Sequence, residues 1–181
     1  VQYPLVTGRF LYHAESTLPT APYIEEMEGG ELKMWIRPAL DGNVKESLYV
    51  IGVDIAAGTA GSYSSNSVAC VIDRMTGEQV AEWVSNRINP TNFAYLCAAL
   101  GRYFHNAVIV PEANFSPNYM KSIVEEIGYQ NIYYRTNDKV GHKKITDKAG
   151  FWMTNDEKRI ELFERMQNAM AIGTFIPRSK E

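Results

Sequence analysis

The run Leu48-Tyr-Val-Ile-Gly-Val-Asp54 decides how this chain is read. It is apolar at nearly every position, the pattern of a strand covered on both faces. It ends on a carboxylate, where the chain leaves the sheet. Further on, Ala107-Val-Ile-Val-Pro-Glu112 repeats the device. In open α/β sheets the functional crevice lies outside the carboxyl ends of parallel strands. If the two runs are neighbours, Asp54 and Glu112 face one cleft, and paired carboxylates suit a divalent metal ion.

Working outward, Gly58-Thr-Ala-Gly-Ser-Tyr-Ser-Ser-Asn66 is a loop. Ser67–Asp73 and Glu78–Val84 are β-rich and flank the turn Arg74-Met-Thr-Gly77, which predicts a hairpin. The period then changes. Asn89-Pro90 is a cap followed by proline at the first helical position. Phe93, Leu96, Cys97, Leu100 and Phe104 follow at helical spacing, so a helix of about four turns is expected. After the Glu112 strand, Ser116-Pro117 repeats the cap, and Met120, Ile123, Val124 and Ile127 form a helix face stopped at Gly128. Asn131–Tyr134 predicts a short strand, and a polar loop runs on to Gly150. Thr154-Asn-Asp-Glu157 is a capping box opening a last helix, with Ile160, Phe163, Met166 and Met170 on its apolar side.

On the amino-terminal side, Lys33-Met-Trp-Ile36 is a short strand candidate and Asp41-Gly42 a turn. Residues 1–31, with Pro4, Pro19, Pro22 and an acidic cluster, read as a linker or tail, and residues 32–181 as the domain. The first three strands of that domain, from Leu48 to Val84, pair as antiparallel hairpins. The fourth is reached across a helix and lies parallel to the first by a right-handed crossover. The expected α/β architecture is a five-stranded mixed sheet, order 3-2-1-4-5, flanked by helices.

Composition agrees with one globular domain: 181 residues, 45% hydrophobic and 22% charged, with 3 Trp, 11 Tyr and 7 Phe. A net charge of −3 makes no case for a nucleic-acid partner by itself. Where basic residues cluster matters more. Cys70 and Cys97 fall inside a strand and a helix, with neither disulfide nor metal spacing, so both read as buried thiols of a reducing compartment. No run approaches the roughly 18 apolar residues of a membrane helix. The start, Val1-Gln-Tyr-Pro4, carries no initiator Met and suggests a piece of a longer chain.

Several stretches occur in order: Tyr49-Val-Ile-Gly-Val-Asp54-Ile-Ala-Ala-Gly58, Val71-Ile-Asp-Arg-Met-Thr-Gly-Glu78, Pro90-Thr-Asn-Phe-Ala94, Val110-Pro-Glu112-Ala-Asn114 and Gly128-Tyr-Gln-Asn-Ile-Tyr133. Together, over about residues 32–178, they resemble the nuclease domain of the large terminase subunits of tailed bacteriophages. The resemblance implies a ribonuclease H-like fold, two Mg²⁺ or Mn²⁺ ions, and endonucleolytic cutting of concatemeric double-stranded DNA in the cytoplasm of an infected bacterium. It implies as partners a terminase ATPase domain, a small terminase subunit and a portal. Residues 1–31 would then be the linker from that ATPase domain, for which no phosphate-loop motif occurs here. Asp54 and Glu112 match the first two acids of the family's triad. The third acid has no counterpart before Glu181, as if the domain were truncated, and Ser62, Ser64 and Ser65 stand where many members carry an acid.

Two metal ions held by carboxylates activate a water and stabilise the leaving oxygen of a phosphodiester. The blander readings are specific. Asp54 alone could be a turn former, as Asp73 is at its hairpin, and Ser116 is a helix cap. Asn114 is a loop amide, and His105 closes a helix and complements its dipole. Arg135, Lys139, Lys143, Lys144 and Lys148 outnumber Asp138 and Asp147 in one polar loop, five to two. They are either solvated charges or the phosphate contacts that an acidic domain otherwise lacks. Tyr133, Tyr134 and Trp152 flank the loop as core, rim or base-stacking residues. Competing readings of the whole are a non-catalytic DNA- or portal-docking domain and a ribonuclease H-like resolvase or transposase. An actin-like ATPase is set aside for want of a second Asp-x-Gly motif.

Overall fold

The computed structural model describes residues 2–12, 23–58, 65–112, 116–137, 144–149 and 156–179; 135–137, 144–149 and 156–159 are described by backbone alone. In chain order the elements are β1 (Val6–Leu11), β2 (Tyr23–Glu26), β3 (Leu32–Met34), β4 (Tyr49–Asp54), β5 (Ser67–Asp73), β6 (Glu78–Ser85), α1 (Pro90–Tyr103), β7 (Val108–Pro111), α2 (Pro117–Lys121), β8 (Tyr134–Asn137), β9 (Lys144–Ala149) and α3 (Asp156–Ala171). A π-helical turn, Ser122–Glu126, continues α2. The main sheet has the order β2-β1-β3-β6-β5-β4-β7, and β8 and β9 form a separate hairpin.

The β6-β5-β4-β7 side of this sheet is the expected one. The first three expected strands are β4, β5 and β6, joined antiparallel, and β7 lies parallel to β4 with Ile51 opposite Ile109. Asn89 begins α1 by accepting the Asn92 N–H at 2.8 Å, as its cap position dictates. The crossover helix then buries Phe93, Leu96, Cys97 and Leu100 against one face of the sheet. Trp83 of β6 stacks on Phe93 with ring centroids 5.5 Å apart, and Tyr119 of α2 packs on the other side at 5.8 Å.

Three features differ from the sequence expectation. First, among the described residues the main sheet has seven strands, because part of the expected tail and the strand candidate that begins at Lys33 are built into it. β1 alternates buried and half-buried or exposed positions, the period of a strand with one face on a core. It pairs antiparallel with both β2 and β3, and β3 passes the pairing on to β6. The flanking prolines masked that alternation.

Second, the expected fifth strand shrinks to one parallel bridge, Ile132 to Ile109. Ile109 donates to Asn131 O at 2.8 Å, and its own carbonyl accepts from Tyr133 N at 2.9 Å. The next outward-facing position of β7 is Pro111, which has no N–H to extend the ladder. The chain turns away there, and the stretch read as a polar loop becomes the β8–β9 hairpin, with Asn137 opposite Lys144.

Third, α3 forms, but Ile160, Phe163, Met166 and Met170 are exposed rather than packed. The segment after α3 does dock. Gln79 Oε1 accepts the N–H groups of Arg178 at 2.8 Å and Ser179 at 3.0 Å, and Ser179 Oγ reaches Glu82 at 3.1 Å. Arg178 also pairs with Glu78. Buried Gln79 and Glu82 are thereby satisfied, as buried polar groups must be.

Candidate active site

β4 and β7 are parallel neighbours, so both release their chains at the same edge of the sheet. Val53 pairs with Pro111, and the Glu112 N–H donates to Val53 O at 3.0 Å, which continues the register by one step. Asp54 and Glu112 therefore stand beside each other. Val53 and Pro111 are buried, while Asp54 is exposed and Glu112 half-buried. Because strand side chains alternate between faces, both carboxylates fall on the face that Val53 and Pro111 do not share. Adjacent strands lie about 4.8 Å apart.

Asp54 opens on a cleft of about 640 Å³, lined by Ile55, Ala56, Ser65, Asn66, Pro90, Ser116 and Asn118 among others. The described lining carries one charge, that of Asp54. Ser65 was singled out by sequence, as a serine standing where an acid is often found, whereas Asn66 and Asn118 were not. They are small polar residues in loops or at a helix start, where turn and cap roles give the same composition.

Other expectations resolve individually. Asp73 is a turn residue: its Oδ1 accepts from Ser47 Oγ at 2.7 Å and from Met75 N at 2.9 Å. Ser116 caps α2 through the Tyr119 N–H at 3.3 Å. His105 sits past the end of α1 with φ of 53°; its Nε2 lies 3.0 Å from Val44 O and its ring stacks on Tyr49. It ties the helix end to a neighbouring segment. Tyr134 packs against the core, and Tyr133 is on the surface. Ser62, Tyr63, Ser64, Asn114, Lys139, Lys143 and Trp152 lie outside the described residues. Arg135 lies on β8 and Lys144 and Lys148 on β9, placed by backbone alone. Ile132 runs parallel to β7 just before β8 begins, so the hairpin is rooted toward the edge where Glu112 emerges.

Both thiols are chemically quiet. Burial pushes Cys97 from its ordinary 9.0 up to about 12. Burial, with the Glu82 charge adding, pushes Cys70 up to about 12 as well. Burial likewise holds Tyr103, beside Asp41, at about 12 against an ordinary 10.0. Neutral thiols are poor nucleophiles, so neither serves chemistry. A folded-state pKa above the unfolded one gives stability that is complete below the unfolded value and lost as pH rises through the folded value. The melting temperature is therefore expected to hold up to about pH 8.5 and to fall steadily between pH 9 and 12. Circular-dichroism melts across that range check it, and a flat profile to pH 11 would contradict it.

Among the described residues no group of three or more His, Cys, Asp and Glu is arranged to hold a metal ion, so the candidate set is this pair. No helix among them is long and apolar enough to cross a membrane.

No family model and no curated protein matches the chain. Solved structures do. The magnesium-bound large terminase nuclease of thermophilic phage G20c superposes with a TM-score of 0.59 at 14% identity, covering 96% of this chain and 69% of that one. Its zinc-bound form gives 0.60 at 14% identity, covering 97% and 78%. The large terminase nuclease domain of Thermus phage P74-26 gives 0.54 at 18% identity, covering 83% and 64%. The chain thus has the ribonuclease H-like fold of the phage large terminase nucleases.

Proposed function

We propose that this chain is the nuclease part of a phage DNA-packaging motor, a metal-dependent endonuclease that cuts concatemeric double-stranded DNA. The observation that carries the reading is the juxtaposition of Asp54 and Glu112 at the carboxyl edge of β4 and β7, beside an open cleft. The fold supports it, since the G20c nuclease was solved with magnesium and with zinc bound.

The donors fit a hard divalent cation. Both are carboxylates, the cleft edge is open to solvent, and Mg²⁺ keeps several waters and needs few protein oxygens. Asp54 and Glu112 would hold two Mg²⁺ or Mn²⁺ ions, which supply the positive charge that a phosphodiester needs at its reacting oxygens. The protein's own part is positional. Asp54, exposed at the end of β4, lines the cleft. Glu112, tied by its N–H to the carbonyl of Val53, keeps its backbone in step with Asp54.

Duplex DNA would meet two different surfaces. The stretches that follow the two acids in sequence, 55–66 and 113–118, contain no Lys or Arg. Affinity for phosphates must then come from elsewhere, and Arg135, Lys139, Lys143, Lys144 and Lys148 on or between β8 and β9 are the candidates. In the assembled motor, in the host cytoplasm, the partners would be the terminase ATPase domain, the small subunit and the portal.

Incubating plasmid DNA with the chain in Mn²⁺ tests the reading. Linear or nicked product is expected, lost with chelator and with Glu112→Gln. Salt-sensitive DNA binding without any cleavage in Mn²⁺ or Mg²⁺ would favour a docking domain instead. That alternative rests on the two-acid count among the described residues. The hairpin has its own check. Replacing Lys143 and Lys144 by Ala is expected to flatten the slope of log affinity against log salt by up to about two, since each neutralised phosphate contributes about −0.9. Fluorescence anisotropy on unrelated duplexes reads it, and an unchanged slope would make these lysines ordinary solvated charges.

A further inference from the structure

The backbone that leaves Asp54 is held at three points. The β4–β5 ladder ends at the pair Asp54–Val68. Two residues on, the Ala56 N–H has no strand to donate to, and the side chain of Ser67 takes it, with Oγ 3.0 Å away. Ser67 is the first residue of β5, and it is fully buried. Between these points Ile55 is inserted into the core at 8% exposure. Gly58 then takes φ of +71°, where a Cβ would come within 2.1 Å of the Ile88 carbonyl oxygen. Only glycine lets the loop press against Ile88, the residue before the α1 cap. The exit loop is thus wedged between the start of β5 and the approach to α1.

We propose that Ser67 is a positioning residue for Asp54. Its buried hydroxyl stands in for the missing ladder carbonyl and fixes the direction in which the Asp54 carboxylate leaves the sheet. The proposal rests on the reading of Asp54 and Glu112 as a metal site. The chemistry explains the residue type. Val or Ala at this position would serve the core equally well but would leave the Ala56 N–H without its acceptor. A metal site tolerates little freedom in its ligands, and groups that orient ligands typically matter 10- to 100-fold in metal affinity.

The experiment uses the full chain and Mn²⁺ or Mg²⁺ alone as probe. In the unsubstituted, metal-free protein the Ala56 amide is expected to exchange with solvent slowly. In Ser67→Ala its exchange should rise by about tenfold or more, while Ile51 and Val71 at mid-strand stay unchanged. In the same variant calorimetry should show Mn²⁺ affinity reduced by about tenfold or more. Ser67→Thr, which keeps the hydroxyl, should recover most of both.

Rapid exchange of Ala56 in the unsubstituted chain would overturn the proposal without need of any variant. So would Ser67→Ala with loosened Ala56 and unaltered Mn²⁺ affinity, which would make Ser67 a purely structural residue. Asp54→Asn separates the ligand from the residue that positions it. Its loss of Mn²⁺ binding is expected, whereas heats equal to those of the unsubstituted protein would overturn the metal site itself and the positioning role with it.

Discussion

Replacing Asp54 by Asn is expected to abolish calorimetric Mn²⁺ binding and to lower DNA cleavage by about 10³-fold or more, with the fold unchanged. Loss of a metal ligand removes transition-state charge stabilisation worth several kcal/mol, and each 1.36 kcal/mol is about a factor of ten. Stability should hardly move, because Asp54 is exposed at the strand end rather than packed. The same substitution removes a negative charge from a cleft whose described lining carries no Lys or Arg, so DNA affinity without metal should rise. Cleavage falling while metal-free DNA binding rises would be hard to explain for a turn-forming aspartate. Glu112→Gln should act in the same direction. Full cleavage by either variant would remove that acid from the site.

Phe93→Ala is expected to be the most damaging single change to the fold. The ring is fully buried in α1, stacked on Trp83 and flanked by Tyr119. Its removal deletes the contact joining the sheet, the crossover helix and α2, and the rigid strands on either side cannot close the gap. Large-to-small aromatic deletions in such cores cost about 3–5 kcal/mol. For a domain of this size each kcal/mol lowers the melting temperature by about 2–4 °C, so a fall of about 10–15 °C should be seen. Urea unfolding should show a lower midpoint with the slope unchanged. A drop under 3 °C would mean that α1 is held chiefly from elsewhere.

The two substitutions probe different parts of one architecture. Phe93 belongs to the layer beneath the sheet and sets how α1 returns the chain to β7. Asp54 belongs to the edge that this return completes. A chain weakened at Phe93 should keep its metal site until it unfolds, because the β4–β7 ladder is made of backbone hydrogen bonds.

The signals legible in the sequence were local ones. The apolar runs ending in Asp54 and Glu112, the Arg74–Gly77 turn and the caps at Asn89 and Ser116 each state their element through neighbouring residues. A helix between two buried runs forces a parallel crossover, so the order β6-β5-β4-β7 was legible as well. Tertiary structure decided what depends on partners distant in sequence. β1 and β2 are strands because β3 and β6 offer an edge to pair with, and a four- to six-residue alternation among prolines does not show that. The fifth strand fails because Pro111 withholds one donor from a neighbour about twenty residues away. The candidate site divides the same way: residue type named Asp54 and Glu112, but a one-step register and a shared face set them side by side. Ser67 was invisible as anything but a strand residue, because its role is a single hydrogen bond across 11 positions of chain that only folding brings together.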